Sequence, residues 1–164
     1  MSELDKGGKD MRNNSAIIQS QRNQRKVNLD EQHYIPRIVI VEDQAFICKL
    51  HRAWLEMLNC HVHIARSGHS ALECVNRGYA YDLILMDIGL PDIDGITLSK
   101  FIRSQYHMKR IPIIAVTTQC NEVKQQCLAV GINEVLKKPI NVVILRRILN
   151  RWIFQKSTSE VRPL

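Results

Sequence analysis

Short, wholly apolar runs alternate along this chain with longer amphipathic stretches. Ile38–Val41 is a continuous β-branched run, the pattern of a strand buried on both faces. Between 44 and 58 the spacing changes, and Phe46, Ile47, Leu50, Trp54, Leu55 and Leu58 recur at helical intervals. The alternation then repeats. Further strands are predicted at 61–65, 83–86, 112–116 and 134–136, and further helices at 67–78, 97–106, 121–130 and 141–154. Ser67 or Ser70 can cap the second helix, and Gly78 and Gly131 stop the second and fourth. Fully apolar strands with intervening helices predict a parallel α/β sheet covered on both faces, in the doubly wound form that right-handed crossovers favour. Ligands of such sheets sit beyond the C-terminal strand ends, so the polar residues found there are the ones to read for function.

The flanks follow a different pattern. Residues 1–34 are polar apart from Ala16-Ile17-Ile18, too little apolar surface to offset ordering alone. They are expected to form a flexible extension, with a short helix near Ser15–Arg25. The folded unit is expected at 35–155, with a tail at 156–164. No apolar run approaches the ~18 residues of a membrane span, and the N-terminus lacks the apolar stretch of a secretory signal. Five cysteines without a CxxC pair argue against a disulfide framework or zinc ribbon and for a cytoplasmic setting. The net charge of +7 brings a nucleic-acid partner into consideration. The charge is dispersed, however, and Arg146, Arg147 and Arg151 read as a solvated helix face. Duplex DNA binding is therefore not expected. Few aromatics, at 5%, argue against a base-stacking surface.

Polar groups cluster where the strands end. Glu42 and Asp43 follow the first strand, Asp87 the third, Thr117 and Thr118 the fourth, and Lys137-Lys138-Pro139 the fifth. Three carboxylates in one cleft repel unless a cation relieves them, and hard oxygen donors suit Mg2+. A lysine and a hydroxyl facing the same cleft supply what a phosphoryl group needs, and a carboxylate can itself accept that group as an acyl phosphate.

Four segments carry a family resemblance: Ile38–Asp43, the run Leu83–Gly95 containing MDIGLPDIDG, Ile113–Thr118, and Leu136–Pro139. In this order and spacing they resemble a response-regulator receiver domain over residues 36–154, most like the receivers of hybrid sensor kinases. The resemblance implies a flavodoxin-like fold with strand order 2-1-3-4-5 and a phosphorelay function in a free-standing receiver. Asp87 would be the phospho-acceptor. Mg2+ would be held by Asp43, Asp87 and the Gly89 backbone carbonyl, with Glu42 acting through water. Lys138 would bind a phosphoryl oxygen, while Thr117, with Thr118 beside it, would form the switch. Pro91 and Gly95 would shape the acceptor loop, and Pro139 would fix the Lys138 peptide. The donor would be a histidine kinase or histidine phosphotransfer protein. Output would pass to a downstream protein, or to a second copy, through residues 120–153. Turnover of external substrates is not implied.

Two departures from the family pattern stand out. Val135 occupies a switch position that is often aromatic, so switching would rely on backbone and helix movement. Gly89, with Gln119, occupies a position that modulates phosphoryl loss, and a glycine predicts a long-lived phosphoryl group. Other features read more simply. His61 and His63 share one side of a strand without a third metal ligand, and Cys120 and Cys127 read as small core residues. Asp92-x-Asp94 is similar to the nucleophile motif of haloacid dehalogenases, but it does not directly follow a first strand. The last helix has more apolar residues than one buried face needs (Val142, Val143, Ile144, Leu145, Ile148, Leu149, Trp152, Ile153 and Phe154). This predicts a partner surface or a cover supplied by the N-terminal extension. Three rival functions stay open: a DNA-binding regulator, a phosphoester hydrolase and a phosphate-independent pseudo-receiver.

Overall fold

The computed structural model describes residues 34–105 and 108–155. The predicted N-terminal extension, its short helix and the C-terminal tail from 156 lie outside the described residues. The elements are β1 (Arg37–Val41), α1 (Ala45–Met57), β2 (His61–Ala65), α2 (Gly68–Asn76), β3 (Leu83–Asp87), α3 (Gly95–Ser104), β4 (Ile113–Thr117), α4 (Cys120–Ala129), β5 (Glu134–Lys137) and α5 (Val142–Leu149). The strands form one parallel sheet in the order β2-β1-β3-β4-β5.

Alternation along each strand divides the core in two. Val39, Val41, Ile84, Met86, Ile113 and Ala115 point to one face, where they pack with Ala71 and Val75 of α2, Leu98 and Ile102 of α3, and Cys127 of α4. Ile38, Ile40, Leu83, Leu85, Ile114 and Val116 point to the other, against Leu55 of α1 and Leu145, Ile148 and Leu149 of α5. Both faces of β1, β3 and β4 are thus buried, which is why these strands read as unbroken apolar runs.

Helix ends follow local chemistry. Ser67 caps α2, with Ser67 and Ser70 each accepting the other's backbone N–H. Gly78 and Gly131 take positive φ just past α2 and α4. The third helix starts two residues earlier than its apolar pattern predicts. The Asp94 carboxylate accepts from the N–H groups of Ile96 and Thr97, so Gly95 is already helical rather than part of the loop. The last helix is not α-helical to its end, because Asn150–Phe154 form a π-helical turn. Of its apolar residues, Leu145, Ile148, Leu149 and Ile153 are buried, Val142, Ile144 and Trp152 are half-buried, and Val143 and Phe154 are exposed.

Candidate functional site

All five strands run in parallel, so their C-terminal ends meet at one edge of the sheet. Asp87 is the last residue of β3, Thr117 the last of β4, and Glu42 and Asp43 follow β1 directly. Register brings the neighbours together. Asp87 pairs with Val116, one residue before Thr117, and Thr117 pairs with Lys137, one before Lys138. The Lys138 N–H donates to the Thr117 carbonyl at 2.9 Å, which ties the turn after β5 to the end of β4. The Lys138–Pro139 peptide bond is cis.

At the centre lies a charged cluster. Glu42, Asp43 and Asp87 each offer a carboxylate oxygen, and these atoms lie within 4.8 Å of one another. The Lys138 Nζ donates to Glu42 Oε2 at 2.6 Å and to Asp87 Oδ2 at 2.7 Å. Gly89 N–H donates to Asp87 Oδ1 at 3.0 Å, so both Asp87 oxygens have partners. Glu42 Oε1 accepts from the Gln44 N–H at 3.2 Å. Burial pushes the Glu42 carboxyl above the usual carboxylate range, against the opposing pull of Lys138. Burial also disfavours the Lys138 ammonium. Its hydrogen bonds to Asp87 and Glu42 outweigh that cost and hold it above the usual lysine range.

Three carboxylates facing one ammonium leave formal negative charge uncompensated. A divalent cation with a preference for oxygen would balance it, so the donor chemistry fits Mg2+. Thr117 is buried at the same edge, and its Oγ1 accepts from the Gln119 N–H at 3.2 Å. Thr118 is exposed, so of the two threonines Thr117 is the one enclosed with the acids. Val135 is half-buried against the core beneath α4.

The loop Ile88–Asp94 frames the acidic edge. Gly95 closes its base, because the Gly95 N–H donates to the Ile88 carbonyl at 2.9 Å. A Cβ on Gly95 would stand 2.7 Å from the Asp87 carbonyl oxygen and 2.8 Å from Ile88 Cα. Only glycine allows this approach. Gly89 and Pro91 are exposed. Sequence reasoning did not find Arg66, whose Nη2 donates to the Asp43 carbonyl at 2.7 Å. It also passed over His69, which pairs with Asp92. Both contacts depend on which loops meet above the sheet, and no motif spacing encodes that. The Asp92-x-Asp94 pair serves two helices, with Asp94 capping α3 and Asp92 binding the start of α2.

The remaining candidates have structural partners. His63 Nδ1 lies 2.7 Å from the Tyr81 hydroxyl, in an edge-to-face cluster with Tyr79. Cys127 is fully buried, and burial pushes its thiol up. Cys120 is half-buried. Among the described residues no helix is long and apolar enough to cross a membrane.

The chain is similar to known proteins in sequence and in fold. Residues 38–150 match the response regulator receiver domain family. The chain is 36% identical over 124 residues to hybrid signal transduction histidine kinase M of Dictyostelium discoideum, covering 73% of this chain and 5% of that protein. It is also 36% identical over 124 residues to the histidine-protein kinase BarA of Escherichia coli K12, covering 75% of this chain and 13% of that one. The chain thus spans only a small part of the curated relatives it matches. Among solved structures, the receiver domain of sensor histidine kinase PA1611 from Pseudomonas aeruginosa, with magnesium coordinated in its active-site cleft, superimposes with a TM-score of 0.68. The two are 36% identical, and the match covers 74% of this chain and 99% of that one. CheY4 of Vibrio cholerae, a chemotaxis response regulator, gives a TM-score of 0.69 at 29% identity, covering 73% of this chain and 100% of that one. With the fold, the acidic edge and the family match in agreement, the chain belongs to the response regulator receiver domain family.

Proposed function

We propose that this chain accepts a phosphoryl group on Asp87 from the phosphohistidine of a histidine kinase or histidine phosphotransfer protein. The observation that carries this reading is Lys138 Nζ held between Glu42 and Asp87, with the Asp43 carboxylate in the same cluster. A lysine here can pass from carboxylate oxygens to phosphoryl oxygens as charge moves onto the new group. The Asp87 carboxylate attacks phosphorus, the phosphorus–nitrogen bond to the donor imidazole breaks, and the imidazole leaves to take a proton from solvent. Asp43, Asp87 and the Gly89 carbonyl would hold Mg2+, with Glu42 acting through water. The ion, when bound, offsets charge on the acids and on the transferred oxygens. Thr117 would turn its hydroxyl to a phosphoryl oxygen. That movement would shift the face built from residues 120–153, which we assign to a downstream protein or a second copy. With Val135 in place of an aromatic, backbone and helix movement would carry the change.

The chain stores the group rather than turning over external substrates. Residues 35–155 would form the working unit. Incubation with a histidine phosphotransfer domain carrying radiolabelled phosphohistidine tests the reading. Label should move to this chain, and both Asp87→Asn and removal of Mg2+ should stop it. Labelling of the Asp87→Asn variant at the parent rate would refute the assignment.

A further inference from the structure

We infer that Asp92 is a positioning residue for the Mg2+ site, clamping the acceptor loop to the start of α2 so that the Gly89 carbonyl is held in place. The inference rests on the phosphoacceptor reading above. Gly89 has no side chain to restrain its own peptide, and glycine is the most conformationally free residue. The Gly89 N–H bond to Asp87 Oδ1 fixes the near side of that residue. The carbonyl side must be held from further along the loop.

Two anchors supply that restraint. The first is the loop base, where Gly95 N–H meets the Ile88 carbonyl at 2.9 Å. The second is the loop tip. There the Asp92 carboxylate accepts from Gly68 N–H at 2.8 Å through Oδ1 and from His69 N–H at 2.9 Å through Oδ2, and Oδ2 also lies 2.7 Å from His69 Nδ1. Beside these bonds Ile93 packs so closely on α2 that a Cβ at Gly68 would stand 2.7 Å from its Cβ. Gly89, Leu90 and Pro91 are therefore strung between two fixed points. The capping box of Ser67 and Ser70 serves only their own N–H groups, so Asp92 takes the two first-turn donors it leaves, on Gly68 and His69, and reaches them from the loop rather than from the helix's own cap position. The carboxylate of Asp92 thus joins two elements of which only one touches the acceptor. The bond to His69 adds a third contact from an exposed side chain, and the backbone bonds remain without it.

Groups that orient metal ligands from outside typically change metal affinity by about 10–100-fold when removed. The test compares the full chain with Asp92→Ala, Asp92→Asn, His69→Ala and Ser67→Ala. Mg2+ affinity is read by titration calorimetry, and loop order by hydrogen exchange at residues 88–94 in Mg2+-free protein. Asp92→Ala should weaken Mg2+ about tenfold and speed exchange across the loop, with Asp92→Asn intermediate. His69→Ala should change affinity by less than about threefold. Ser67→Ala should lower thermal stability and leave Mg2+ affinity alone. If Asp92 only capped the helix, Ser67→Ala and Asp92→Ala would show the same profile, and that result would overturn the inference. So would an Asp92→Ala chain whose Mg2+ affinity and loop exchange match the parent. A parent chain that binds no Mg2+ would overturn the site assignment itself, a failure visible before any variant is made. If Asp92→Ala does not fold, Asp92→Asn decides by the same two readouts.

Discussion

This chain should lose stability in mild acid, and replacing His51 with glutamine should flatten that loss. His51 lies in α1 and is 5% exposed, with its ring tilted against Trp54 at 5.9 Å. Burial, helped by the positive charge of Lys138, lowers its pKa from 6.5 to about 4. The unfolded chain therefore binds a proton near pH 6.5 that the native chain refuses until about pH 4. Between those values the unfolded state holds more protons, so native stability falls as the pH drops. The full effect is about 3 kcal/mol, and about 2 kcal/mol is reached by pH 5. Urea midpoints at pH 7 and pH 5 give the measurement. Glutamine will cost some packing stability at both pH values. The quantity to compare is the difference between the two pH values in each protein. Other ionisable groups, including Glu42, raised by burial, and His63, lowered by burial, are common to both proteins and cancel. The parent should lose about 2 kcal/mol more than His51→Gln on going from pH 7 to pH 5. Equal losses would refute the buried neutral histidine.

Further outcomes follow from the site. Gly95→Ala places a Cβ against the Asp87 carbonyl and Ile88 Cα, backbone atoms with little freedom to yield, and should cost about 2 kcal/mol in a denaturation experiment; a loss under about 0.5 kcal/mol would contradict the close approach. A side chain on Gly89 would start 3.8 Å from Asp87 Oδ1, an ordinary contact. Gly89→Asn should therefore fold normally and lose its phosphoryl group faster, and an unchanged decay rate would count against a role for this position in phosphoryl lifetime. Lys138→Ala should stay folded yet slow phosphorylation by about a hundredfold or more, as followed by intact mass over time.

Much of this architecture is legible in the chain because burial on both faces leaves so plain a signature. Ile38–Val41 and Leu83–Met86 could hardly be anything other than central strands, and once they are parallel, Asp43, Asp87, Thr117 and Lys138 must reach one edge. The misses have local causes. The third helix begins at Gly95 because a cap acts before the apolar pattern starts. The π turn at Asn150–Phe154 changes the backbone hydrogen bonding without interrupting the apolar spacing, so periodicity passes over it. The His69–Asp92 pair spans 23 residues and depends on two loops meeting, which neither residue type nor spacing specifies. Glu42, whose buried carboxylate shares Lys138 with Asp87, was legible as an acid at a strand end. Its direct ion pair with that lysine was not.

On the reading proposed above, Asp87 takes up one phosphoryl group with the help of the acids and Lys138. Incubation with acetyl phosphate and Mg2+, followed by intact-protein mass spectrometry, addresses it without need of a partner. The parent chain should gain one phosphoryl mass that requires Mg2+, reverses in time and is absent from Asp87→Asn. An unchanged mass for the parent chain, or the same gain in Asp87→Asn, would contradict it.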